Sequence, residues 1–134
     1  MPLTTELTML AYSVALMFVL ILVQSTTAVQ SQGGKVMAGN RDELAPAKPL
    51  EGRTRRILYN HIEAMAMFAP LVLIAAVQHI SNGATALGAQ LFFYARLAYA
   101  IVYLIGIPYL RTIVWLAGVA GIAIVFLALF GVAA

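Results

Sequence analysis

The chain has 134 residues, of which 63% are hydrophobic and 10% charged, with a mean hydropathy of +0.94 and a formal net charge of +3. Soluble domains carry roughly 25% charged residues, so an ordinary soluble protein is excluded and a polytopic, all-α membrane protein of one domain, residues 1–134, is expected. There are no cysteines, so disulfides, thiolate nucleophiles and Cys-based metal sites are excluded, and any thiol must arrive with a substrate.

Four segments have the length of about 20 residues that a bilayer span needs. The first runs from about Leu3 to Gln30. It is read as a retained helix: its only early charge is Glu6, and the apolar stretch Leu7–Val23 is longer than the core of a signal peptide. Residues 31–52, SQGGKVMAGNRDELAPAKPLEG, are punctuated by glycines and prolines and read as the one sizeable loop. The second span runs from about Arg53 to Gln78, with Pro70 expected to kink it. The third covers about Thr85 to Ile105. The fourth covers about Tyr109 to Val132, where Ala117, Gly118, Ala120 and Gly121 form a face suited to close helix contact. Tight links at residues 81–83 and 106–108 make consecutive helices antiparallel, which gives an up-down four-helix bundle.

The pI near 9.5 is explained by topology and implies no nucleic-acid partner. Lys35, Arg41, Lys48, Arg53, Arg55, Arg56 and Arg111 all fall in the long loop, its border or the third link, whereas the second link and both tails have no Lys or Arg. The positive-inside rule then puts the 31–52 loop in the cytoplasm and both termini outside. Small size and the lack of a long targeting segment suggest a bacterial inner membrane.

Within residues 53–63, RTRRILYNHIE, spacings of four and three place Arg56, Asn60 and Glu63 within an arc of roughly 60° on a helix that continues into the hydrocarbon. A second stripe, Arg96, Tyr99 and Tyr103, occupies the third span. With a rise of 1.5 Å per residue, Glu63 and Arg96 lie roughly 12 and 15 Å deep and Tyr99 roughly 10 Å. A lone charge at that depth costs at least about 2.5 kcal/mol, so Glu63 and Arg96 are expected to meet. Arg53, Arg56 and Arg111 would ring a cytoplasmic mouth, with Tyr59 at the edge of the same face. Such a pocket suits a small peptide with two carboxylates and one amino group, since guanidiniums fork onto carboxylates and a carboxylate accepts an ammonium. Its apolar walls suit a lipophilic second substrate. The plain alternative is a buried ion pair that only fixes helix register. His61 is expected to face away from the stripe and His79 to lie at the outer end of its helix. Neither has a partner at ligand spacing, so no metal site is expected.

The stretches GNRDE, EGRTRRILYNHIEAMAMFAP and LFFYARLAYAIVYLIGIPYLRTIVW together resemble the MAPEG family, the membrane-associated proteins in eicosanoid and glutathione metabolism. The resemblance spans about Asn40 to Trp115. It implies a homotrimer of four-helix bundles that binds glutathione between subunits near the cytosolic face, as co-substrate of a transferase or peroxidase acting on a lipophilic electrophile or lipid hydroperoxide. It assigns glutathione binding to Arg56, Asn60, Glu63, Arg96, Tyr99 and Tyr103, to which the mouth residues Arg53 and Tyr59 are added, and catalysis to Arg111, as stabiliser of the thiolate, with Tyr103. Leu58 stands where several members have a polar residue that contacts the tripeptide, and Gln24 and Gln30 stand near a position where many have arginine. Two other readings remain: a small proton-coupled exporter of lipophilic cations using Glu63, and a non-catalytic membrane partner on the same scaffold. Arg96 at the depth of Glu63 is a poor neighbour for a carboxylate that must take up and release protons.

Overall fold

A computed structural model describes residues 2–131. It contains α1 (Thr5–Gln32), the short α2 (Gly34–Ala38), α3 (Pro49–Val77), α4 (Gly83–Ile105) and α5 (Pro108–Leu129). The four long helices are each apolar and long enough to cross a membrane, which gives the chain integral membrane character. The expected end of the last helix at Val132 lies outside the described residues.

Local chemistry explains the helix ends. Thr4 caps α1 by accepting from the Leu7 backbone N–H. α3 begins at Pro49, four residues before the expected Arg53, because proline at the first helical position is already set to a helical φ and lacks only a donor that would be unused there. The loop expected over 31–52 is shortened accordingly, and α2 occupies part of it. What remains is tied down by Gln32, whose side-chain amide exchanges hydrogen bonds of 2.9 and 2.8 Å with the Ala45 backbone and donates to Glu51 at 3.0 Å. Glu51 also takes a 2.6 Å salt bridge from Arg55. α4 ends at Gly106, whose φ of 95° in the left-handed region favours glycine.

Cross-helix pairs fix the topology. Thr27 bonds Thr54 and His61 bonds Ser13, so α1 and α3 run antiparallel. Arg56 bonds Tyr103 and Arg96 bonds Asn60, so α3 and α4 do too. Gly88 lies against Gly121 and Val125, and Gly118 against Arg96, so α4 and α5 follow suit. This is the expected up-down order. Among the described residues α1 touches α3 and α4, and α5 touches α4 and α3, but α1 and α5 do not meet. The α3–α4 pair is therefore the centre of the bundle. Its core is built on Phe68 and Phe92, both fully buried and stacked with centroids 3.8 Å apart, with Met9, Met65 and Val72 around them. α3 continues through Pro70 as one helix.

One polar knot at the far end of the bundle was not foreseen. Glu6 is buried and accepts from the hydroxyls of Ser81 and Thr85. Thr85 is also half of a capping box, its backbone N–H donating to Asn82 at 3.0 Å and its hydroxyl accepting from the Asn82 backbone at 2.9 Å. Thr85→Val removes a donor to a buried carboxylate together with half of that box. A loss of about 2 kcal/mol is expected, read as a lowered thermal midpoint in detergent, with Thr85→Ser retaining most of the stability.

Candidate functional site

The two stripes do face each other, though their pairing differs from the one expected. The Nε of Arg56 donates to the Tyr103 hydroxyl at 2.6 Å. One turn deeper, the Nη1 of Arg96 donates to Asn60 Oδ1 at 2.8 Å. The Arg96 guanidinium also lies over the Tyr99 ring, 4.5 Å from its centroid, and that of Arg111 covers Tyr103 at 4.6 Å. Such stacking adds roughly 0.5–2 kcal/mol per pair. Tyr99 and Tyr103 themselves meet edge to face at 5.6 Å. Arg96 and Tyr99 are 2% and 5% exposed. Asn60, Tyr103 and Arg111 are half-buried, while Arg56 lies at the surface.

Glu63 and Arg96 form no salt bridge, contrary to expectation. The only ion pair within 4.0 Å among the described residues joins Arg55 and Glu51. The reason is angular. α3 meets Arg96 between Asn60 and His61, and at 100° per residue Glu63 lies about 110° round the helix from that direction. Glu63 is thus exposed on the chain's own surface. It still shares a cavity with Arg96: a space of about 110 Å³ is lined by Asn60, Glu63 and Arg96 on its polar side and by Met67, Phe92 and Trp115 on its apolar side. A second cavity of about 190 Å³ adjoins it through Asn60 and Trp115 and adds Tyr99, Arg111 and Thr112.

The same angle overturns the expectation for His61. It does not face away; it is fully buried, and its Nδ1 accepts from the Nε of Arg96 at 3.3 Å. Arginine can only donate, so the ring proton sits on Nε2, which donates to the Ser13 carbonyl at 3.0 Å.

Two other expected members stand elsewhere. Arg53 donates to the Leu104 carbonyl at 3.3 Å and lies over Gly106, so its guanidinium satisfies the C-terminal end of α4, where a cation also suits the helix dipole. Tyr59 is 57% exposed and does not join the stripe; it borders a separate groove of about 730 Å³ with Gln24, Arg41, Glu51 and Arg55. Leu58 is buried beside Leu20 and Ile57 and is unavailable to a ligand in that chain. No group of three or more His, Asp or Glu at metal-binding separation occurs among the described residues.

The arrangement offers hydrogen-bond donors of fixed direction, an amide, two phenols and one carboxylate at the border of an apolar wall. No curated protein and no solved structure matches the chain. The sequence pattern that defines the MAPEG family matches residues 9–131 of the 134, and the chain therefore belongs to that family.

Proposed function

We propose that the protein is a glutathione transferase or peroxidase whose tripeptide site lies where the α3 and α4 stripes face each other. The observation that carries this reading is Arg96, a buried guanidinium held by Asn60 and aimed at a cavity that also holds Glu63. A carboxylate of glutathione suits Arg96 and Arg56, and its ammonium suits Glu63. The family membership supports glutathione as the co-substrate.

Cavities of about 110 and 190 Å³ fall below the roughly 300–1,000 Å³ usual for small-molecule sites. One chain thus supplies an incomplete site that a neighbouring subunit would close, and the family membership is what points to a homotrimer. In this reading Tyr59 and Arg53 act at the subunit border or on helix ends. The chain is oriented with its 31–52 loop and the stripes toward the cytosol of a bacterial inner membrane.

The chemistry follows from charge. A guanidinium beside the sulfur favours the thiolate, the reactive form. Arg111 fills this role, with Tyr103 beneath it to fix its plane. The thiolate attacks an electrophilic carbon and displaces its leaving group, or attacks a lipid hydroperoxide and releases the alcohol as the sulfur is oxidised. The exposed apolar side chains of Met67 and Trp115 face the lipophilic partner.

Titrating the detergent-solubilised protein with glutathione at neutral pH should give a saturable rise in ultraviolet thiolate absorbance. Arg111→Ala should cut that signal by up to about tenfold, because about one pKa unit of thiolate stabilisation is lost, while tripeptide affinity changes little. No saturable signal with the wild-type protein at millimolar glutathione would overturn the reading.

A further inference from the structure

We infer that His61 is the positioning residue of the site, and that it orients Arg96 through a hydrogen-bonded chain anchored on α1. This inference rests on the proposed glutathione site. His61 follows Asn60 directly, yet its side chain is fully buried in the protein. The chain of contacts starts at the Ser13 carbonyl, which accepts the imidazole Nε2–H at 3.0 Å. It passes through the ring to Nδ1, which accepts from Arg96 Nε at 3.3 Å. It ends at Asn60 Oδ1, which accepts from Arg96 Nη1 at 2.8 Å.

Three properties make this a positioning device and more than packing. First, a guanidinium is planar, so two hydrogen bonds made through different nitrogens, with Tyr99 against its face, fix both its position and its rotation. Second, the two bonds used are those of Nε and Nη1, so the Nη2 side is the one left for a ligand in the cavity that Arg96 lines. Third, the anchor is a main-chain carbonyl in the middle of α1. A carbonyl oxygen has two lone pairs and serves the imidazole without giving up a helical bond. The imidazole itself is held by Phe92, whose ring is stacked with it at 6.5 Å and 29°. Three contacts therefore converge on one arginine, from His61, Asn60 and Tyr99, and two more, from Ser13 and Phe92, hold His61, so that α1, α3 and α4 all contribute.

The substitutions His61→Phe and His61→Asn separate this role from bulk packing. Phenylalanine keeps a planar ring in the core but leaves the Arg96 Nε without an acceptor. Asparagine is smaller, yet places an oxygen near the Nδ1 position and can accept that bond. Glutathione affinity should fall about tenfold in His61→Phe, the loss expected for one hydrogen bond made by a charged group, and should recover to within about threefold of wild type in His61→Asn. In turnover the change should appear in KM for glutathione with kcat nearly constant. A space-filling role predicts the reverse order, with asparagine the more damaging.

A second readout does not involve glutathione. In protein carrying ¹⁵N-arginine, the Arg96 Nε–H resonance should be resolved and slow to exchange with solvent in wild type and His61→Asn, and rapidly exchanging in His61→Phe. Equal exchange in all three proteins would overturn the inference, as would phenylalanine binding glutathione better than asparagine. If wild type shows the protected Nε–H but binds no glutathione, the proposed function fails while the positioning chain stands.

Discussion

Arg96→Ala should weaken glutathione binding at least about a hundredfold and remove turnover with it. The truncation takes away a cation that is already desolvated. It also leaves Asn60 Oδ1 and His61 Nδ1, which both accept from it, without their donors. Removing a buried charged hydrogen-bond partner costs roughly 1.5–3 kcal/mol per bond, which sets the scale of the effect. Arg96→Lys should recover little of this, since an ammonium is a point charge that cannot hold two acceptors and present a flat third edge. Lys35→Ala is the control, being an exposed residue remote from both cavities. Equilibrium dialysis against labelled glutathione measures all three. Near-wild-type affinity in Arg96→Ala would count against the site.

The second large effect concerns the α4–α5 crossing. A Cβ on Gly121 would lie 2.7 Å from the Gly88 carbonyl oxygen and 2.8 Å from the Phe92 nitrogen, and one on Gly88 would lie 2.8 Å from the Gly121 carbonyl oxygen. These neighbours are backbone and cannot turn aside. Gly121→Ala and Gly88→Ala should each destabilise the bundle by about 3 kcal/mol, because the helices must separate and the Phe92 packing opens with them. Gly118→Ala lies three residues from Gly121 on the same helix, but its Cβ would approach nothing nearer than 3.5 Å. It should be tolerated, and helix propensity favours it. Circular-dichroism melts in detergent distinguish the two classes; equal losses at 118 and 121 would contradict the crossing.

Much of this was legible in the chain because it depends on a single variable, hydrophobicity along the sequence. The four long helices, their order and the small-residue face of α5 all follow from that. The gathering of each polar stripe on one helix side is equally legible, since residues four and three apart share a side whatever lies opposite. What the chain does not carry is the rotation of one helix against its neighbour. A rotation of about 110° decides whether Arg96 meets Glu63 or falls between Asn60 and His61, and core packing around Phe68 and Phe92 sets that rotation. His61 was missed for this reason, although a histidine beside a polar stripe residue is a signal. Gly88 was missed because a glycine in a helix declares close approach only when its partner is known. Pro49 with Glu51 two residues on did announce the start of α3, and the glycine- and proline-rich loop before it obscured that sign. Glu6 stands in the chain only as the one early charge of an apolar segment; its partners, Ser81 and Thr85, lie 75 and 79 residues further on.

The native chain has no cysteine, so a single introduced thiol reports on one place. Thr112→Cys would line the cavity shared by Asn60, Tyr99 and Arg111, and Val77→Cys would lie exposed at the opposite end of α3. Maleimide labelling of each, with and without S-methylglutathione, asks directly whether the tripeptide occupies the space between the stripes. Saturable protection at 112 with none at 77 is the predicted result. Unchanged labelling at 112 in a protein that binds S-methylglutathione would contradict the account, because the ligand would then sit elsewhere.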